Sequence, residues 1–347
     1  MSATRANRIS TILLATLFGI ASGMVGALVT ETYVLPTFPG DGGTVIGRRA
    51  ATEVGRFQAQ VEAAQRSLVT VYVEKPAIAG GIVPYLPGEA LAAGGVLTAD
   101  GWLLTAGDFG SRKLVAVVNG RRYPVTESRR DVWSGITLLK IAADGLQPVA
   151  FATGEAPATG EAVALVSGVQ LARPAMSLGL ADIPAATLDA ATRSAERMQR
   201  ALLISTPAVP GSLALTGGGE VAAVVLKDGV AAPAGSFRQV LTGVIRDRSA
   251  ARPLLGAEYL DLSAFPQPAG EAQQRGAQLT AVVRRSPAEA AGFRVGDVVT
   301  AVNGEEVGPR RPLSDIITDY RPDAEITVSY RRAGAAATAE VTLGTLQ

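Results

Sequence analysis

The stretch SPAEAAGFRVGDVVTAVNG, residues 286–304, decides how the C-terminal part of this chain folds. Ser286 is an N-capping residue type, and Pro287 sits at the first helical position, where proline is best tolerated. The following AEAA favours helix, and Gly292 is placed to stop it in a left-handed conformation. Gly296-Asp297 then turns the chain into the apolar run VVTAV. Asn303-Gly304 closes that run as a hairpin, because both central turn positions need positive φ. One helical turn between two chain reversals, feeding a buried strand, predicts a small α+β unit. Its flanks agree. RPLLGAEYL at 252–260 and PLSDIITDYRPDAEITVSYRRAG at 312–334 supply further strands and one short helix. The unit is predicted to span residues 249–347.

Upstream the pattern changes to short apolar runs separated by turn signals: LVTVYVEK (68–75), AAGGVLTADGWLLTA (92–106), KLVAVVNGRRYPVT (113–126), ITLLKIAADG (136–145), EAVALVSG (161–168) and SLALTGGGEVAAVVL (212–226). Asp100-Gly101 and Asn119-Gly120 are hairpin dipeptides, and Gly217-Gly218-Gly219 is a tight turn with no Lys-Ser/Thr after it to make a phosphate loop. Many short strands at such spacing predict an all-β barrel or sandwich. Two amphipathic helices bracket it. One runs from about Arg49 to Gln65, with Val54, Phe57, Val61 and Ala64 on one face. The other is GSFRQVLTGVIRDR (235–248), with Phe237, Val240, Leu241, Val244 and Ile245 at helical spacing. Residues 49–248 are therefore read as one mainly β domain.

The N-terminus reads differently. ISTILLATLFGIASGMVGALVT, residues 9–30, carries no charge and is long enough to span a bilayer core, which takes roughly 20 apolar residues. Arg5 and Arg8 precede it; Glu31 and Asp41 follow. The positive-inside tendency predicts a cytoplasmic tail at 1–8, a transmembrane anchor at 9–30 and an extracytoplasmic bulk, with 31–48 as a Gly/Pro-rich linker. A cleaved signal peptide is the competing reading, but its apolar core is usually shorter, about 7–15 residues. Gly19 and Gly23 form a GxxxG pair of the kind that lets two membrane helices approach.

Composition excludes much chemistry. Among 347 residues there is no cysteine and no histidine, and the net charge is +1. Thiolate and imidazole metal sites are gone, as are disulfides, cysteine nucleophiles and the commonest general base near neutral pH. The charge balance argues against nucleic acid, and nothing calls for a cofactor or a metal.

Taken together, the runs SPAEAAGFRVGDVVTAVNG, RPLLGAEYL and PLSDIITDY closely resemble the PDZ domain of HtrA/Deg serine proteases, and the middle of the chain resembles that family's trypsin-like domain. The resemblance implies a chymotrypsin-like double β-barrel followed by a PDZ domain. It covers roughly residues 67–347. It also implies where a catalytic triad would lie. Thr105-Ala106-Gly107-Asp108-Phe109 occupies the histidine segment, so Asp108 stands at the histidine position. Gly135, in SGITLLKI, falls at the aspartate position. Pro210-Gly211-Ser212-Leu213-Ala214-Leu215 replaces the nucleophile loop, about two residues short, with Ser212 retained. A serine without a base is a weak nucleophile, and a carboxylate suits neither proton step. The expectation is a catalytically degenerate member. A Ser-Lys site could draw only on Lys75, Lys113, Lys140 or Lys227.

What remains is binding. The resemblance implies that Leu254-Leu255-Gly256-Ala257 captures a peptide's terminal carboxylate through backbone amides, and that Ile316 and Ile317 help line the pocket, though core packing would also account for these apolar residues. A scaffold or regulator in envelope protein quality control is the expected role. Residual peptidase activity at Ser212, or co-assembly as a homo- or hetero-trimer with HtrA-like proteins, are the alternatives.

Overall fold

The computed structural model describes residues 59, 61–77, 83–169, 172–182, 192–247, 251–266 and 274–346. The predicted anchor at 9–30, the linker and most of the first amphipathic helix lie outside them. Among the described residues no helix is long and apolar enough to cross a membrane.

Six antiparallel strands close the first barrel: β1 (Leu68–Val73), β2 (Ala92–Val96), β3 (Trp102–Ala106), β4 (Leu114–Val118), β5 (Arg121–Arg130) and β6 (Ile136–Ile141), in the order β1-β2-β3-β6-β5-β4. The second barrel comprises β7 (Ala162–Val166), β8 (Arg173–Asp182), β10 (Arg200–Ile204), β11 (Leu213–Leu215), β12 (Val221–Lys227) and β13 (Val230–Pro233), in the order β10-β13-β12-β11-β7-β8. Between β8 and β10 a two-residue strand, β9 (Arg193–Ser194), leaves the barrel altogether. This is the double barrel that the resemblance implied.

The unbroken apolar runs have a physical reason. Successive strand side chains point to opposite faces. In β3, Leu103 enters the core of the first barrel while Leu104 packs between the barrels; in β6, Leu139 and Leu138 divide the same way. Strands buried on both faces cannot show a polar alternation. β5 borders solvent on one side and does alternate. The layer between the barrels is sealed by α1 (Arg238–Asp247) and the 3-10 turn before it, through Phe237, Val240, Leu241 and Val244. Ile245, predicted on the same face, is 61% exposed, because the buried stripe is narrower than the spacing suggested. Val61 and Ala64 pack against this layer as predicted.

The hairpins divide too. Asn119 and Gly120 have φ of 49° and 71°, and Asn303 and Gly304 have 47° and 81°, as their turns require. Asp100-Gly101 is not a two-residue loop: the Gly101 N–H donates to Thr98 O, and only Gly101 takes a positive φ, closing a longer connection.

The C-terminal unit contains β14 (Arg252–Leu254), β15 (Ala257–Asp261), β16 (Ala277–Val282), α2 (Pro287–Ala290), β17 (Val298–Val302), β18 (Glu305–Glu306), α3 (Leu313–Thr318), β19 (Glu325–Arg332), β20 (Ala335–Thr342) and β21 (Gly344–Leu346). Its sheet runs β20-β19-β17-β16-β15-β9, and β14 pairs with β21. Ser286 caps α2 as predicted, its hydroxyl accepting from the Glu289 N–H at 3.2 Å. α3 lies over a core containing Tyr259, Leu279, Phe293 and Val328.

Two buried carboxylates organise these units. Asp131 accepts from the Arg252 guanidinium, from Ser134 Oγ and from the Trp133 N–H, and Arg252 also donates to Ser236 O at 2.9 Å. Asp297 accepts from Arg332 and from the Arg294 N–H, and the Arg332 hydrogen bond holds its carboxyl below the usual range.

Breaking a buried ion pair on one side strands the other charge, typically at about 3–5 kcal/mol. Arg252→Met in the full chain is therefore expected to lower the unfolding free energy, read from urea titration, by about that much, and Asp131→Leu added to it should recover part of the loss. Asp297 stabilises while it is charged, so its contribution is present above the ordinary value of 3.8 and fades as pH falls through the lowered one. Melting curves of the wild type and Asp297→Asn should accordingly converge on acidification.

Candidate functional site

The three positions of the implied triad are each engaged elsewhere. Asp108 follows β3 on a loop and is exposed; its carboxylate pairs with Arg130 and accepts from the Gly110 N–H at 3.0 Å. Gly135 has φ of 80°, and a Cβ there would meet Leu226 at 3.3 Å. Ser212 is 2% exposed, and its hydroxyl donates to Val209 O at 2.7 Å. A carbonyl cannot take that proton, so the contact fixes the hydroxyl without activating it.

The loop around Ser212 is pinned by its backbone. The Ala93 N–H donates to Pro210 O (2.8 Å), the Gly211 N–H to Val225 O (2.7 Å) and the Ser212 N–H to Val209 O (3.0 Å). An oxyanion site needs such amides free and converging on one point outside the protein. Here both are spent on carbonyls of the chain. β11 begins at Leu213, immediately after the serine, and the Gly211 N–H and Ser212 O both bond to Val225 of β12.

Lys75 pairs with Glu89 at 2.5 Å and Lys140 with Asp100 at 2.8 Å, while Lys113 and Lys227 are exposed.

The loop Leu254-Leu255-Gly256-Ala257 behaves differently. Gly256 has φ of 78°, and a Cβ there would lie 2.2 Å from that of Ser286, so only glycine allows this path. The turn aims two successive amides at one acceptor: the Leu255 N–H (3.0 Å) and the Gly256 N–H (2.7 Å) both donate to Glu196 Oε1. The loop thus holds a side-chain carboxylate of its own chain, where the resemblance implied the terminal carboxylate of a peptide. Ile316 and Ile317 are fully buried with Leu255 and Ala257 in the domain core, so packing accounts for them as well as pocket lining does. Leu254 ends β14 opposite Gly344. Tyr259 hydrogen-bonds Ser314, and burial pushes its hydroxyl up to about 12.

Sequence reasoning missed Glu196. It lies between two barrel strands, 60 residues from its partner Gly256, in a stretch whose polar composition marks no element. A cleft of about 840 Å³ lies between the second barrel and α3. Five of its charged side chains pair with one another: Arg200 with Asp315, and Arg311 with Glu305 and Asp319.

Residues 253–343 match the PDZ domain family. Over 117 residues the chain is 32% identical to a probable periplasmic DegP-like serine endoprotease of Rhizobium meliloti (strain 1021), a match that takes in 33% of this chain and 23% of that protein. Over 261 residues it is 24% identical to serine endoprotease DegS of Haemophilus influenzae (strain ATCC 51907 / DSM 11121 / KW20 / Rd), covering 70% of this chain and 74% of that one. Among solved structures, the HtrA-type protease AlgW with decapeptide superposes with a TM-score of 0.59 at 18% identity, over 84% of this chain and 99% of that one. The C-terminal unit is a PDZ domain, and the chain has HtrA-type serine proteases as homologues.

The pinned loop can be tested through Gly211, whose φ is 83° and where a Cβ would sit 1.9 Å from Ala93 O. Left-handed strain alone costs on the order of 1–3 kcal/mol. Gly211→Ala should exceed that in thermal unfolding, whereas Gly110→Ala, with open space around it, should not.

Proposed function

We propose that this chain is a non-catalytic relative of the HtrA proteases that binds the C-termini of other polypeptides through its PDZ domain. In this reading it works on the extracytoplasmic side of a membrane, held there by the segment at 9–30, as a scaffold or regulator in envelope protein quality control. The observation that carries the reading is the state of the nucleophile loop. In a chain without histidine, the Ser212 hydroxyl and the amides of Gly211 and Ser212 all donate to backbone carbonyls. Base, nucleophile and oxyanion donors are separate contributions to acyl transfer, and here each is missing or committed.

The peptide-binding half rests on the loop at 254–257. Two convergent amides holding a carboxylate beside a sheet edge are the parts with which a domain of this kind takes a chain terminus as an added strand.

Fluorogenic casein incubated with the purified protein and with Ser212→Ala should give the same background rate. Turnover by the wild type that Ser212→Ala abolishes would instead establish a residual endopeptidase with a non-histidine base.

A further inference from the structure

A sheet that ends in an unpaired strand leaves a row of N–H and C=O groups open to a guest. In this PDZ domain the strand beside the carboxylate loop is β15, and it is already paired. β9 runs antiparallel to it, with Ser194 opposite Glu258 and Arg193 opposite Tyr259. The chain continues along the same edge: the Ala195 N–H donates to Ala257 O at 3.0 Å. The next residue is Glu196, whose Oε1 takes the Leu255 and Gly256 amides. Its second oxygen, Oε2, accepts from Ser194 Oγ at 2.5 Å, and its own N–H donates to that hydroxyl at 3.3 Å. Neither Ala195 (0%) nor Glu196 (4%) is exposed to a meaningful degree. Ala195 belongs to the same apolar cluster as Leu255, Ala257, Ile316 and Ile317.

Each feature matches what a chain end would do in that groove. The strand adds to β15, its last side chain enters the apolar pocket, and a carboxylate reaches the two amides. Only the source differs, since the carboxylate is a side chain and the backbone carries on to Met198, whose N–H donates to Trp133 O in the first barrel's loop. Burying a glutamate is costly unless every acceptor is used, and this one is fully engaged.

We infer that residues 193–196 are a built-in occupant of the peptide groove, with Ala195 in the place of a ligand's terminal side chain and Glu196 in the place of its α-carboxylate. The inference rests on the peptide-binding reading above and adds two things to it. The groove is closed until a competing chain end displaces this segment. The ligands it accepts are free C-termini ending in a small apolar residue, alanine above all, because that is the side chain the pocket holds. A tethered occupant competes at an effective concentration on the order of millimolar, and a ligand's apparent affinity falls with the fraction of molecules whose groove is open.

The test uses the full chain and a fluorescein-labelled decapeptide ending in Arg-Ser-Ala with a free carboxylate, read by anisotropy beside its C-terminally amidated twin. Glu196→Ala deprives both amides of their charged acceptor and should bind the free-acid peptide roughly 10- to 100-fold more tightly than wild type, while the amidated peptide binds neither. Equal, readily saturable binding by wild type and Glu196→Ala would overturn the inference and leave the peptide reading intact. No saturable binding by either would overturn both. Should Glu196→Ala fail to fold, amide hydrogen exchange of the wild type decides. Saturating free-acid peptide should deprotect Ala195 while Leu255 and Gly256 stay protected, and unchanged protection of Ala195 in the bound protein would refute displacement.

Discussion

A carboxylate taken out of water must have its oxygens satisfied, and Asp131 meets that demand with donors from two parts of the fold. Ser134 and Trp133 come from its own loop; Arg252 comes from the first strand of the PDZ domain and brings with it the carbonyl of Ser236, from the turn that precedes α1. The desolvation of two charges is offset only when the geometry is held closely. The loop from Asp131 to Gly135, the closing turn and β14 are therefore positioned by one another. Gly135 lies inside that loop, its N–H donating to Asp131 O at 2.8 Å. The loop that contains Gly135 thus ties the PDZ domain to the first barrel through Asp131 and Arg252.

A second commitment of the same kind sits at the nucleophile loop. With Leu213 starting the strand directly after Ser212, the Gly211 amide bonds β12 and the Ser212 amide closes a turn on Val209, and Gly211 is wedged against Ala93 O with no room for a side chain. The PDZ loop keeps its amides convergent because Gly256 turns there and Ser286 backs it. One loop spends its amides on backbone carbonyls, and the other converges two of them on a carboxylate.

Much of this was legible in the residues. Asn119-Gly120 and Asn303-Gly304 fixed their hairpins because type I′ turns need two positive φ values, and the cap at Ser286 and the apolar stripe of α1 follow from equally local rules. Where tertiary context decides, local rules fell short. Ile245 fits the helical period yet faces solvent, and Asp100-Gly101 was absorbed into a longer turn held by Thr98. β8, ten residues whose inward positions include small Ala175 and Ser177, gave too weak a contrast to be read as a strand. β9 was invisible for a stronger reason. Two residues carry no period, and their strand partners lie more than sixty positions downstream.

That last pairing bears on where one domain stops and the next begins. Sequence places the border near residue 249, at the composition change after α1. Hydrogen bonding places part of it elsewhere, since Arg193–Ser194 belongs to the PDZ sheet while the preceding β8 and the following β10 belong to the second barrel. A fragment begun at 249 would carry β15 as a bare edge, with two carboxylate-seeking amides beside it, and bare edges recruit whatever strand is nearest, including another copy of themselves. Such a fragment would be stickier and more promiscuous than the intact protein. Its behaviour would describe an open socket that the whole molecule keeps plugged.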